Sequence, residues 1–173
     1  MKRAQLLIFC FIAAFAACKS KSTLFELVSA AHSGIDFNNS ITENDSLNPM
    51  NVVNIYNGGG VGIGDFNKDG LPDIYFTGNM VPSRLYLNKG GLQFEDITEK
   101  AAVGGAGRWA RGVSVVDINN DGLLDIYVCN TIYRDTLQRR NLLYVNEGTD
   151  AAGIPHFKDM SAAYGMDINV QST

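Results

Sequence analysis

Cysteine is scarce in this sequence: only three occur among 173 residues, which argues against a disulfide scaffold. Cys10 and Cys18 lie in an N-terminal stretch with the pattern of an export signal and lipid anchor, so Cys129 alone remains for the folded part and no intrachain disulfide is possible. We expect Cys129, at the end of an apolar run, to be a buried and inert thiol. An exported protein without disulfides needs another source of stability, and a bound metal ion can supply it.

The sequence also lacks the residue groupings of common catalytic and nucleic-acid-binding sites. With 14 Lys and Arg against 18 Asp and Glu it has no strongly basic patch, so we predict no binding to nucleic acid. His32 and His156 stand outside any Ser/His/Asp or metal-ligand grouping. The three glycines at residues 58–60 lead into a predicted strand, with no following G-K-[ST], and are not a phosphate loop. We therefore predict that the chain is not an enzyme.

The N-terminus begins as exported proteins do. Two basic residues precede an uncharged apolar run over residues 6–17, which is too short for a stable transmembrane helix. The following Ala-Ala-Cys18 resembles a lipoprotein signal box, in which Cys18 becomes the lipidated first residue of the mature chain. We predict a signal peptide over residues 1–17, a tether over residues 18–23 and an outer-membrane lipoprotein of the cell envelope, anchored in the membrane through Cys18. A soluble secreted protein is the alternative.

One nine-residue pattern, D-x-N-x-D-G-x-x-D, occurs twice, at residues 65–73 (the first loop) and 117–125 (the second loop). Side-chain oxygens at positions 1, 3, 5 and 9, with glycine at position 6, follow the ligand order of a calcium loop, to which a backbone carbonyl at position 7 adds an oxygen. Flexible oxygen ligands suit Ca²⁺ better than Mg²⁺, and neither loop has a Cys or His to favour zinc. We predict two calcium sites with these ligands: Asp65, Asn67, Asp69, Leu71, Asp73, Asp117, Asn119, Asp121, Leu123 and Asp125.

Ordinary turns are the alternative interpretation of the loops, because Asp, Asn and Gly are the residues that turns use. Recurrence of oxygen-bearing residues at the same four positions favours metal binding. A third stretch begins similarly at Asp36, but it has Ser40 at position 5 and Ile41 where the glycine belongs, so we predict no site there.

The flanking residues decide between an EF-hand and a β structure. An EF-hand loop requires a glutamate at position 12 and a helix on each side. Position 12 is Phe76 in the first loop and Val128 in the second, and neither side chain binds a metal. The residues before and after both loops are mainly β-branched, aromatic or glycine, which predicts that each loop connects two strands.

The repetition extends well beyond the loops, which indicates a repeat protein. Three further pairs of positions correspond, at separations of 52, 58 and 63 residues: Tyr75 and Tyr127, Asn88 and Asn146, Phe94 and Phe157. Each unit reads as four short strands, which is typical of a β-propeller blade.

We predict an all-β fold with blades of four antiparallel strands, in units over residues 58–107 and 108–165. An incomplete blade, whose last strand is residues 24–28, precedes them. Because a propeller closes with about four to eight blades, we expect a partial propeller, from an N-terminal fragment of a longer protein or from one that needs partner chains.

These features resemble the FG-GAP/VCBS repeats of integrin-α-like β-propellers, in particular those of bacterial proteins that carry such repeats ahead of an ASPIC/UnbV domain. The resemblance rests on the glycine-rich strand before Asp65, on the two loops and on the Leu-Tyr-x-Asn segments, and it covers residues 24–173. It implies a calcium-stabilised propeller and brings no catalytic residue with it.

Charge agrees with this interpretation. Removal of the signal peptide takes away two basic residues and no acidic one, so the net charge of −4 becomes −6, and the two loops contain six aspartates. Two bound Ca²⁺ ions would reduce it to −2. We predict a calcium-binding surface lipoprotein whose propeller binds protein or glycan partners. The alternatives are the non-catalytic or substrate-binding part of a larger extracellular enzyme, and a structural spacer.

Overall fold

The described part of the chain contains two antiparallel β-sheets of four strands each, preceded by a segment over residues 24–60 that has no strand. The computed structural model describes residues 24–131 and 136–166, so the predicted signal peptide, Cys18 and the tether lie outside the described residues. The all-β prediction is confirmed at this level. Where helices occur in the described residues they have four residues each, and none is long and apolar enough to cross a membrane.

The strands follow one another along the chain in the order in which they pair. The first sheet consists of β1 (Val61–Gly64), β2 (Asp73–Phe76), β3 (Arg84–Asn88) and β4 (Phe94–Asp96). The second sheet consists of β5 (Ala110–Val116), β6 (Asp125–Asn130), β7 (Leu142–Thr149) and β8 (Pro155–Asp159). The short helices are α1 (Ala30–Ser33) before the first sheet, α2 (Thr98–Ala101) between the sheets and α3 (Thr136–Arg139) between β6 and β7.

The first two strands of each sheet pair in the same register, so equivalent residues of the sequence repeat lie opposite each other in both sheets. Ile63 lies opposite Ile74 in the first sheet, and Val115, 52 residues after Ile63, lies opposite Ile126 in the second. Each loop connects the first two strands of its sheet, as the flanking residues predicted. The sequence repeat is therefore a structural repeat of one four-stranded unit.

The hydrophobic core lies between the two sheets. Alternation of side chains along each strand places one face of the first sheet against one face of the second. The core residues include Tyr75, Leu85 and Leu87 from the first sheet and Ile126, Val128 and Tyr144 from the second. Trp109, just before β5, is 1% exposed and so packs inside the molecule.

Glycines on β1 allow the second sheet to approach closely. β1 packs beside β5, and a Cβ atom on Gly62 would lie 2.9 Å from Val115 Cγ2. A Cβ on Gly64 would lie 2.9 Å from Val115 Cγ1 and 2.8 Å from Leu124 Cδ1. Since these distances are shorter than the 3.5–4.0 Å optimum for carbon contacts, the sheets can pack this tightly only where β1 carries no side chain.

Residues 24–28 differ from the prediction, because the structure shows no strand there. A fourth strand needs a third strand beside it, and among the described residues no strand pairs with this segment. Leu24 and Leu27 are 92% and 96% exposed. Ser29 instead caps α1, and its hydroxyl oxygen accepts a hydrogen bond from the His32 backbone N–H at 3.3 Å.

The stretch that begins at Asp36 is a connection that packs on the first sheet. The Asp36 carboxylate accepts a hydrogen bond from the Tyr86 hydroxyl at 2.9 Å. The Phe37 ring stacks on Phe76 with ring centroids 5.1 Å apart. Asp36 is thus held by a side chain of the sheet, and the absence of a metal site in this stretch stays a prediction.

Candidate metal-binding loops

Both loops bend through a left-handed glycine at position 6. The φ angles are +86° at Gly70 and +82° at Gly122, a region that side chains disfavour. A Cβ added at Gly70 would meet no atom within 4 Å, so backbone conformation, not space, requires glycine there. Position 4 also has a positive φ, +60° at Lys68 and +58° at Asn120.

The position-1 carboxylates point into the turns and accept hydrogen bonds from backbone N–H groups. Asp65 accepts from Asp69 N at 3.1 Å and from Gly70 N at 2.9 Å. Asp117 accepts from Asp121 N at 3.1 Å and from Gly122 N at 2.8 Å. Position 1 therefore fixes the conformation of the turn, while each of its carboxylate oxygens keeps further acceptor capacity.

The side chains at positions 3 and 5 lie against each other. Asn67 Nδ2 donates to Asp69 Oδ2 at 2.9 Å, and Asn119 Nδ2 donates to Asp121 Oδ2 at 2.7 Å. The amide oxygens of Asn67 and Asn119 accept from the backbone N–H of the same aspartates, at 3.2 and 3.1 Å. The side-chain oxygens of positions 1 and 3 thus converge on the backbone N–H of position 5 in each loop.

Position 7 contributes its backbone N–H to the loop. Leu71 N donates to Asp69 Oδ1 at 2.8 Å, and Leu123 N donates to Asp121 Oδ1 at 2.8 Å. The predicted role of the Leu71 and Leu123 carbonyl oxygens as ligands stays a prediction.

The position-9 aspartates are buried, in contrast to the exposed aspartates at position 5. Asp73 and Asp125 are both 0% exposed. Asp73 accepts from Phe66 N at 2.9 Å and from Asn88 N at 2.8 Å, which connects the start of the first loop to the end of β3. Burial raises the pKa of Asp73 to about 6, although these two N–H donors act in the opposite direction.

Asp125 has the same bonding in the second sheet. It accepts from Ile118 N at 2.9 Å and from Asn146 N at 2.8 Å. A carboxylate with backbone donors on both oxygens is positioned by the sheet itself. Position 9 therefore has a structural role that the loop pattern alone did not reveal.

In each sheet, one asparagine at the end of the third strand holds the loop to that strand. Neither asparagine was predicted from the sequence as a site residue. Asn88 Nδ2 donates to Pro72 O at 2.8 Å within the first sheet. Asn146 Nδ2 donates to Leu124 O at 3.2 Å and also to Phe66 O at 2.9 Å, so it joins the second sheet to the first loop. The signal that could have identified them was present, because both asparagines end the repeated Leu-Tyr-x-Asn segment.

The donor atoms of each loop suit a hard cation that prefers oxygen ligands. Each loop offers two carboxylates and one amide oxygen at its tip, with a third carboxylate buried beneath. Within residues 24–131 and 136–166, no group of three or more His, Cys, Asp and Glu side chains could by itself hold a metal ion. A cation in either loop would therefore need the Asn67 or Asn119 amide oxygen, or backbone oxygens, in addition to the carboxylates. Such a mixed oxygen set fits calcium.

Cys129, on β6, is half-buried. Burial raises the pKa of its thiol, which favours the protonated and less reactive form.

Comparison with known proteins identifies a repeat in the region of the loops. Residues 65–128 match the family model described as FG-GAP-like repeat. Cartilage acidic protein 1 of Xenopus tropicalis and of Homo sapiens are each 34% identical to this chain over 79 residues. The similar stretch covers 45% of this chain and 12% of each relative. The stretch that runs from the first loop to β6 is therefore similar to an FG-GAP-like repeat.

Proposed function

We propose that this chain is a calcium-stabilised interaction module of the cell envelope, built from propeller-type blades. The FG-GAP-like repeat over residues 65–128 suggests an extracellular interaction module. The finer parts of the proposal are calcium as the bound metal, an outer-membrane lipid anchor at Cys18, protein or glycan partners and the absence of catalysis. The two relatives are named as acidic proteins. This chain is acidic as well, with a net charge of −4.

The observation that carries the calcium proposal is the near-identity of the two loops. Each makes the same seven hydrogen bonds, and corresponding distances differ by 0.2 Å or less. Two loops that keep both this ligand order and this conformation support a shared ligand.

Charge gives the reason why a cation would stabilise the fold. Each loop holds three aspartates within nine residues, and one of them is buried. Burial without a compensating charge costs free energy. A ligand that binds only the folded state adds RT ln(1 + [L]/Kd), or about 2.7 kcal/mol at a hundredfold excess over Kd. We therefore expect Ca²⁺ to raise the melting temperature.

Calorimetric titration of the chain tests the proposal. Asp69→Ala and Asp121→Ala each remove an exposed position-5 carboxylate from one loop, and each should abolish about half of the bound calcium while the other loop stays filled. Asp45→Ala is the matched control, because Asp45 is exposed and lies outside both loops. We expect Mg²⁺ to bind far more weakly than Ca²⁺. If calcium does not bind, or if neither loop substitution reduces the stoichiometry, both loops are ordinary turns.

A further inference from the structure

The first loop lies against the second sheet. Asn146 Nδ2, at the end of the third strand of that sheet, donates to Phe66 O at 2.9 Å. Asn67 Nδ2 donates to Gly153 O at 3.5 Å, in the turn between β7 and β8. The Phe66 and Phe157 rings pack edge to face with centroids 5.9 Å apart. Residues of the second sheet therefore fix the position of the first loop relative to the second loop.

Lys68, at position 4 of the first loop, reaches the turn of the second loop. A Cβ atom added at Gly122 would lie 3.6 Å from Lys68 Nζ. Gly122 is position 6 of the second loop and follows Asp121 directly, and its backbone N–H donates to Asp117 Oδ2 at 2.8 Å. The ammonium group of the first loop thus lies at the turn that carries the more exposed carboxylates of the second loop.

The ammonium group acts on these carboxylates through space. Among the described residues, no carboxylate oxygen forms an ion pair with Lys68. Standard bond lengths, followed through Gly122, place Lys68 Nζ within about 9 Å of the Asp117 carboxylate. This separation is close to the Debye length of about 8 Å at physiological ionic strength. Lys68 therefore supplies positive charge to the second loop without bonding to any of its candidate ligands.

Position 4 is also where the two loops differ in charge. The loops differ at positions 2, 4 and 8, and position 4 alone changes the charge, because it is Lys68 in the first loop and Asn120 in the second. The second loop accordingly has three aspartates and no cation of its own. Since the oxygen-bearing positions and their hydrogen bonds are the same in both loops, this lysine is the feature that distinguishes them electrostatically.

We propose that Lys68 is the counter-charge of the second loop. Without calcium, its ammonium group offsets the repulsion among the aspartates of that loop. With calcium, the same positive charge repels the ion, so the second loop binds calcium less tightly than its own ligands would allow. This inference rests on the proposed calcium binding and concerns the affinity of one of the two sites.

The size of the effect depends on ionic strength. A unit charge about 7 Å from a divalent ion in water changes binding about 5-fold at about 10 mM salt, where the Debye length is about 30 Å. At about 150 mM salt, screening reduces the factor to about 2-fold. In calcium-free buffer, loss of this exposed charge interaction should lower the melting temperature by about 1–3 °C.

Calorimetric titration of the full chain with Ca²⁺ tests the inference on one loop at a time. Asp69→Ala leaves the second loop as the calcium site. In that background, Lys68→Gln should tighten calcium binding about 5-fold at about 10 mM salt and about 2-fold at about 150 mM. Lys68→Arg is the matched control, because it keeps the positive charge, and its affinity should equal that of the Asp69→Ala background itself.

Thermal unfolding in calcium-free buffer separates a counter-charge from a side chain that only packs. Loss of packing would lower both the melting temperature and the calcium affinity. Loss of a counter-charge should lower the melting temperature and raise the affinity. We therefore expect the two measurements to move in opposite directions for Lys68→Gln, and neither to change for Lys68→Arg.

Unchanged or weaker calcium binding by the Lys68→Gln variant would overturn the inference, while calcium binding by both loops could still hold. A larger effect on the first loop, measured in the Asp121→Ala background, would also overturn it, because the charge would then act on its own loop. Absence of calcium binding by the unmodified chain would refute the proposed function itself, and with it the effect of Lys68 on affinity.

Discussion

Gly62→Ala should destabilise the protein although it adds only one methyl group. The new Cβ would lie 2.9 Å from Val115 Cγ2 and 3.3 Å from Val113 Cγ2, at the contact between the two sheets. Both valines belong to β5, whose backbone is fixed by its pairing with β6, so they cannot easily move away. Insertion of extra atoms into a packed interior costs about 1–3 kcal/mol.

Gly112→Ala is the matched control, since Gly112 is the residue of β5 that lies 52 positions after Gly60. A Cβ at Gly112 would have its nearest neighbour, Cys129 Cβ, at 3.8 Å, an ordinary contact distance. Alanine in a strand interior is favoured over glycine by about 0.5–1 kcal/mol. We therefore expect Gly112→Ala to be neutral or slightly stabilising.

The two variants should differ in unfolding free energy by about 1–3 kcal/mol, because the preference of a strand for alanine applies at both sites and only the overpacking cost at Gly62 separates them. For a protein of this size, 1 kcal/mol shifts the melting temperature by about 2–4 °C. Thermal unfolding followed by circular dichroism, under the same calcium concentration, measures the difference. Equal melting temperatures would refute the conclusion that β1 carries glycine because the second sheet approaches it.

Two further predictions concern the junction between the sheets and the N-terminus. Asn146→Ala should lower stability by at least about 1–3 kcal/mol, because it leaves the buried Phe66 O without its side-chain donor, and the part-buried Leu124 O also loses its donor. Asn88→Ala loses only part-buried bonds, to Pro72 O and from Gly90 N, within the first sheet, so it should cost less, and chemical denaturation compares the two. Cys18→Ser should abolish incorporation of a radioactive fatty acid, and equal labelling of the variant and the wild type would exclude the lipid anchor.

Much of the fold could be predicted from the sequence because the chain repeats itself. Two copies of one loop, each between β-branched or aromatic runs, were sufficient to predict that the loop connects two strands. The separation of 52 residues between Tyr75 and Tyr127 also corresponds to an equal pairing register in the two sheets. A repeat makes secondary-structure prediction more reliable, because a strand or loop assigned in one copy must also fit the sequence of the other copy.

The short helices could not be predicted in the same way. Each helix has four residues, which is about one turn and too short to show a periodic apolar pattern. The strand expected at residues 24–28 did not form, because pairing depends on a neighbour and not on the segment alone. Sequence showed that residues 24–28 resemble β4 and β8, but it could not show that no described strand lies beside them.

Within the candidate site, the sequence showed which positions carry oxygen-bearing side chains but not how deeply each of them is buried. The oxygen-bearing positions of each loop were all visible in the sequence, and position 9 was predicted as a metal ligand like the others. The structure separates them, because Asp73 and Asp125 are fully buried and each accepts two backbone N–H bonds, whereas Asp69 and Asp121 are exposed. Burial depends on the fold of the whole unit and therefore could not be read from the spacing of the pattern.

This separation determines which substitutions can test metal binding. Replacing Asp73 would leave two buried backbone N–H groups without acceptors, and replacing Asp125 would leave one buried and one part-buried N–H group, so the sheet would be destabilised with or without a metal. Loss of calcium after such a change would follow from local unfolding as readily as from a lost ligand. Replacing Asp69 or Asp121 removes acceptors only at the exposed tip of a loop and leaves the buried bonds to the third strand intact. A drop in calcium stoichiometry in these variants, with an unchanged strand signal in circular dichroism, can therefore be assigned to the loop itself.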